Sequence, residues 1–297
     1  MTPLPQPLMV DIPAESLARI DQLQAEITDL KDEVNLLRRR DETLKFYMHR
    51  LDEELRLAAR LQQDFLPKTL PQIGPIHFHT IFRPAGYVSG DLYDVMRLDE
   101  AHVAFYMVDA VGHGLPAALL TMFIKNTLVT KQLIPGGYRL LNPGEALAAV
   151  NRSLIEQNLT QATFATAVYG IINSKTLECR FARAGHPLPM LLKPNGLLTD
   201  LKSEGSLLGI FPDEVFGDYH LQLEPGDRLF VYSDGIEVAF ADDQTPADTH
   251  QWRIELQNRA NLPTEQILSE ISGLLDREIG SLTPRDDLSL IAIDVTR

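Results

Sequence analysis

The chain has 297 residues, 44% hydrophobic and 23% charged, an ordinary globular composition with room for one large domain and an appendage. A formal net charge of −14 argues against a nucleic-acid binder, since affinity for a phosphate backbone depends on basic surface. The single cysteine, Cys179, excludes an internal disulfide or thiolate zinc cluster and reads as a small buried hydrophobe.

No apolar run approaches the roughly 20 residues of a membrane helix, and residues 1–10 lack the basic-then-apolar order of a secretory signal. The expectation is a cytoplasmic protein with no membrane contact. Residues 1–14 are proline-rich and read as a flexible N-terminus, after which a proline-free helical pattern runs over 15–66. Within it Ile20, Ile27 and Val34 recur every seven residues at one core position, and Leu23, Leu30, Leu37, Leu44 and Leu51 at the other. β-Branched residues at one position and leucine at the other favour a parallel two-stranded coiled coil, so a homodimer through 15–66 is expected. Asp41 and Gln62 fall at core positions of this seam and should weaken it. A helix folded back on its own domain is the alternative.

Pro67 and Pro71 end the helix and bound a connector over 67–71, followed by a globular domain over 72–297. Its pattern predicts strands over 76–82, 92–98 and 102–109, then a helix over 115–133. A second helix is predicted over 143–158, with Asn142 as N-cap and Pro143 at its first position. Strands follow over 164–173, 177–184, 188–193, 219–223 and 229–233, then a helix over 264–279 and a last strand over 288–295, with a polar loop over 242–250. Strands flank adjacent helices instead of alternating with them, so the fold class is α+β with mainly antiparallel sheets.

Four acidic clusters stand at the ends of these strands: Ser89-Gly90-Asp91, the run from Asp109 to Gly114, Tyr232-Ser233-Asp234-Gly235 and Arg285-Asp286-Asp287. Strands bring distant residues together, and converged carboxylates bind hard divalent cations through oxygen. Taken singly, Asp234-Gly235 reads as a turn and Asp286-Asp287 as a solvated loop, and Pro225-Gly226-Asp227 is an ordinary turn before a strand. In order, from Gly90 to Ser289 and with Ala184-Gly185-His186-Pro187 between, the motifs resemble those of the bacterial SpoIIE-type branch of the PPM (PP2C-like) serine/threonine phosphatases. The stretch from Leu61 to Pro67 resembles the linker motif that precedes this domain in the family.

The resemblance implies a sandwich of two packed antiparallel sheets flanked by helices, with two Mn²⁺ or Mg²⁺ ions at one edge. It makes Asp109 the residue that bridges the metals, with Asp91 and the main-chain carbonyl of Ala110 on one side and Asp234 and Asp286 on the other. Asp94 and Asp287 adjoin these ligands and enter as supporting residues or weaker ligands, while Gly112 and Gly114 let the chain turn beside the metals. In the better-known eukaryotic enzymes a histidine two residues after the bridging aspartate is linked to proton donation. His113 stands four after Asp109, so support of the loop competes with that role. His186 reads as a structural hydrogen-bonding histidine. Arg83 is a candidate phosphate ligand or one half of a surface ion pair.

Phosphate monoesters hydrolyse very slowly in water, and two metals about 4 Å apart both activate water and clamp the phosphoryl group. The expected function is a metal-dependent phosphatase acting on phosphoserine or phosphothreonine of a regulatory protein, which the resemblance suggests is a STAS-type anti-sigma-factor antagonist. The alternative is a dimeric scaffold or pseudophosphatase that binds a partner without turnover. The helix over 15–66 is expected to transmit a signal, with an upstream sensory partner supplying it.

Overall fold

The computed structural model describes residues 14–159, 163–240, 250–278 and 286–296. Most of the predicted flexible N-terminus, the loop over 242–249 and Arg285 lie outside these residues. Along the chain stand α1 (Ala14–Phe65), β1 (Ile76–Arg83), β2 (Asp91–Arg97), β3 (His102–Ala110), α2 (Leu115–Thr127), β4 (Lys131–Ile134), β5 (Gly137–Leu140), α3 (Pro143–Glu156), β6 (Ala165–Asn173) and β7 (Glu178–Ala184). The second half holds β8 (Met190–Leu192), β9 (Leu198–Asp200), β10 (Tyr219–Gln222), β11 (Arg228–Tyr232), α4 (Asp234–Phe240), α5 (His250–Asn258), α6 (Thr264–Glu278) and β12 (Leu288–Val295).

The chain divides into two compact units, Met1–Arg56 and Leu57–Arg297. The first is helical, and the apolar heptad residues from Ile20 to Leu51 are exposed along it. Asp41 is exposed and pairs with Lys45 at 2.7 Å. The second unit takes in the last turns of α1, and here the reading of Gln62 as a seam residue is corrected. Gln62 is buried and hydrogen-bonded within this unit, to Ser89.

Two five-stranded antiparallel sheets, ordered β1-β12-β11-β8-β9 and β10-β7-β6-β3-β2, form the centre of the second unit. Side chains alternate along each strand, so every central strand feeds two cores. On β3, Val103, Phe105 and Met107 enter the core between the sheets, while Ala104, Tyr106 and Val108 pack with α2 and α3. On β12, Ile291, Ile293 and Val295 face the first core, while Leu288, Leu290 and Ala292 pack with α5 and α6. Burial on both faces explains why these strands read as continuous apolar runs. Cys179 is wholly buried in the central core, which pushes its thiol up to about 12.

The predicted helix over 115–133 ends at Thr127. Val129 and Thr130 are β-branched, and Pro135-Gly136 supplies a turn, so the segment after the helix folds into the β4–β5 hairpin. Helices α4 and α5 and the three-residue strand β9 were not in the sequence pattern either.

Candidate metal centre

The alternation that builds the core also places the carboxylates. Asp91 lies two residues before Tyr93 and Asp109 two after Met107, so both face the space between the sheets, directly opposite each other in the β2–β3 ladder. From the other sheet, Ser233 continues the inward row of Leu229 and Val231, and Ser289 and Asp287 extend that of Ile291 and Ile293. Asp234 opens α4 one residue beyond Ser233. Four chain segments therefore bring their ends to one edge of the sandwich.

The electrostatics show that these groups feel one another. Burial, and then the charge of Asp109, hold the Asp91 carboxyl well above the usual range. Burial again, followed by Asp234, Asp286 and Asp287, raises Asp109. Asp234 is raised by burial and by Asp286. Neutral hydroxyls of Ser233 and Ser289 face Asp91 and pull the other way, yet its Oδ2 is buried without a hydrogen-bond partner. A buried carboxylate oxygen with no donor, inside a cluster of like charges, is costly unless a cation compensates it. Among the described residues no group of three or more Asp, Glu, His or Cys side chains stands ready to hold a metal ion. The donor chemistry thus fits a hard divalent cation, while the side chains as they stand do not enclose one.

Neighbouring residues sort into distinct roles. Asp286 is exposed and Asp287 buried, although they are adjacent. Both oxygens of Asp287 are engaged, Oδ1 by the N–H of Ala85 at 2.7 Å and Oδ2 by that of Gly90 at 2.6 Å, so this carboxylate anchors the loop over 85–90. Asp94 accepts from Lys125 Nζ at 2.7 Å, away from the cluster. Arg83 donates to Asp276 at 2.6 Å and to the hydroxyl of Ser272, which realises the ion-pair alternative for this residue. His113 is exposed. His186 is buried, meets Thr166 Oγ1 through Nδ1 at 2.7 Å, and is driven down to about 3 by burial and by Arg183, so it is neutral at any working pH. Thr166 is the residue opposite Asp109 on β6, which makes His186 a support behind the site.

Backbone shape completes the edge. Gly112 and Gly114 have φ of 90° and 74°, the left-handed region that glycine enters freely. A Cβ at Gly90 would stand 3.2 Å from the carbonyl oxygens of both Ala110 and Gly112, so a side chain there would crowd the carbonyl proposed as a ligand. At Gly235 a Cβ would lie 2.0 Å from the carbonyl oxygen of Asp287. Gly235→Ala must therefore push apart α4 and the start of β12. Such overpacking costs about 1–3 kcal/mol, or roughly 2–12 °C for a domain of this size. A melting curve in chelator is expected to show that loss, and an unchanged midpoint would contradict the close approach. The sequence reading did not foresee Gln62 or the loop-anchoring use of Asp287. The only signal for the former was a polar residue in the run before Pro67.

The sequence model of the family described as Stage II sporulation protein E (SpoIIE) matches residues 99–296. The chain is 28% identical over 250 residues to the phosphoserine phosphatase RsbU of Bacillus subtilis, covering 84% of this chain and 70% of that protein. It is 27% identical over 264 residues to protein IcfG of Synechocystis, covering 81% of this chain and 41% of the relative, so it spans well under half of that protein. Among solved structures, the SiaA-PP2C domain of Pseudomonas aeruginosa superposes with a TM-score of 0.70 at 20% identity, over 83% of this chain and 98% of that domain. Among the described residues no helix is long and apolar enough to cross a membrane.

Proposed function

The chain belongs to the SpoIIE family of PP2C-like phosphatases, and from that membership we propose that it hydrolyses phosphoserine or phosphothreonine on a regulatory protein, with Asp109, Asp91, Asp234 and Asp286 holding two Mn²⁺ or Mg²⁺ ions. The observation that carries this reading is the buried, unpartnered Oδ2 of Asp91 among carboxylates that raise one another's pKa. When bound, such ions supply an activated water and neutralise charge on the phosphoryl oxygens.

The protein's own residues do the rest. Asp91 and Asp109, fixed opposite each other by the ladder, set the inner wall of the site. Asp234 and Asp286 approach from the other sheet, Asp286 on the solvent side, where a phosphorylated side chain would enter. The Ala110 carbonyl completes the proposed donor set, with Gly90 leaving it room. His186, neutral and buried, holds Thr166 behind Asp109 instead of exchanging protons. The name of the Bacillus relative, a phosphoserine phosphatase, supports the serine preference. A STAS-type anti-sigma-factor antagonist as substrate, parallel dimerisation through α1, an upstream sensory partner and a cytoplasmic site of action belong to the same proposal.

The test is phosphate release from a phosphoserine peptide and from a phosphorylated STAS-domain protein. Turnover is expected with Mn²⁺ and none in chelator. Equal release in both would overturn the metal dependence, and no release above a blank with any divalent ion would favour the scaffold reading.

A further inference from the structure

We propose that Gln62 is a positioning residue for the candidate metal centre, fixing the backbone of Ser89 and through it the placement of Asp91. The inference rests on the metal-dependent reading above and adds to it a residue outside the carboxylate set.

Gln62 lies one turn before the end of α1, within the same compact unit as the site, and only 4% of it is exposed. A buried primary amide is costly unless both its ends are bonded. Both ends meet one residue: Nε2 donates to the carbonyl of Ser89 at 2.7 Å, and Oε1 accepts the N–H of Ser89 at 2.8 Å. The side chain thus mimics a strand partner for the residue that precedes the Asp91 ladder. From Ser89 the ties run directly into the cluster. Its hydroxyl accepts the Asp91 N–H at 3.0 Å, the Gly90 N–H donates to Asp287 at 2.6 Å, and the Gly90 carbonyl accepts the Ala110 N–H at 3.1 Å.

Three consecutive residues are therefore pinned from three directions, by α1, the start of β12 and β3. A second tie fixes the same helix end, because Lys125 on α2 donates both to the Phe65 carbonyl and to Asp94 of β2. The last turn of α1 grips β2 just ahead of its first carboxylate and again within the strand. Removing the amide would free Ser89, and with it the backbone on which Asp91 opposes Asp109. Loss of a partner that orients a metal-binding residue typically weakens metal affinity 10–100-fold.

The experiment is Mn²⁺ titration of the metal-free full chain by calorimetry, with melting in chelator as a parallel measurement. Gln62→Ala deletes both hydrogen bonds. Gln62→Glu keeps the volume and the acceptor for the Ser89 N–H, and sets an oxygen against the Ser89 carbonyl. Each is expected to raise the Mn²⁺ dissociation constant about tenfold or more, and if the alanine variant does not fold, the glutamate variant decides. A glutamine that merely stabilises the fold would lower the melting temperature and leave Mn²⁺ affinity within twofold, which would overturn the proposal. An unsubstituted chain that takes up no Mn²⁺ would overturn the proposed function itself, and is read before any variant is made.

Discussion

Asp109→Asn is expected to lower the Mn²⁺-supported phosphatase rate about 10³-fold while raising the melting temperature of the metal-free chain. The substitution keeps the shape of the side chain and removes its charge. Asp109 is the one carboxylate raised by Asp234, Asp286 and Asp287 together, and it faces Asp91 across the ladder, so it lies at the electrostatic centre of the cluster. Loss of a group that only orients a metal ligand costs about 10–100-fold, and loss of a carboxylate proposed to hold the ions directly should cost more. A 10³-fold fall corresponds to about 4 kcal/mol of transition-state stabilisation. The opposite sign on stability follows from the same crowding. Without metal, each ionised carboxylate here is destabilised by burial and by its neighbours, so neutralising one relieves the folded state. A gain of about 1 kcal/mol would appear as roughly 2–4 °C in a melting curve taken in chelator. Rate and stability moving apart separates loss of chemistry from loss of fold. A variant that keeps a tenth or more of the parental rate would remove Asp109 from the centre of the mechanism.

Residues 57–297 alone are expected to be monomeric in light scattering where the full chain is dimeric, and Leu30→Asp with Leu37→Asp should give the same result in the full chain. Ile20, Leu23, Ile27, Leu30, Val34 and Leu37 stand between 41% and 54% exposed, aligned at seam spacing along one helix. The pairs that decorate this helix, Lys45–Asp41 and Arg50–Glu54 among them, are exposed i,i+4 contacts worth about 0.3–0.5 kcal/mol each. They do not account for an apolar row that a second copy would bury at about 1.5–3 kcal/mol per large side chain. Two aspartates per chain place four charges in the seam, a burial that carboxylates resist strongly. The cut falls before Leu57 because the helix beyond it, Gln62 above all, belongs to the globular unit. If residues 57–297 and the full chain scatter alike, the parallel seam is not what holds two copies together.

The central strands β3, β6, β11 and β12 were legible because two-sided burial makes them largely apolar, and the ends of β3, β11 and β12 carried acidic motifs. What the sequence concealed depends on context. Asp286 and Asp287 are the same residue type side by side, and only the fold turns one outward and binds both oxygens of the other to the backbone of 85–90. Gln62 satisfies a heptad register as well as it satisfies Ser89, and periodicity carries no information about what a helix meets at its end. The β4–β5 hairpin was hidden by the apolar residues of 128–134, which continue the helical pattern until Pro135-Gly136 is weighed. Helix α5 follows residues with no periodic signal, and its two buried anchors, Trp252 and Leu256, are spaced for either a helix or a compact loop.

The strand order has a consequence for how the protein is made. β12 lies between β1 and β11, so a strand made long after β1 completes the middle of its sheet, and it brings Asp287 and Ser289 with it. While β12 is still within the ribosome, β1 has no partner in that sheet and the loop over 85–90 lacks its carboxylate anchor. Pairing of Ile76 with Val295 joins residues very far apart in sequence, which delays it in folding. Until β12 has emerged, the nascent chain thus carries Asp91 and Asp109 without the residues that face them from the other sheet.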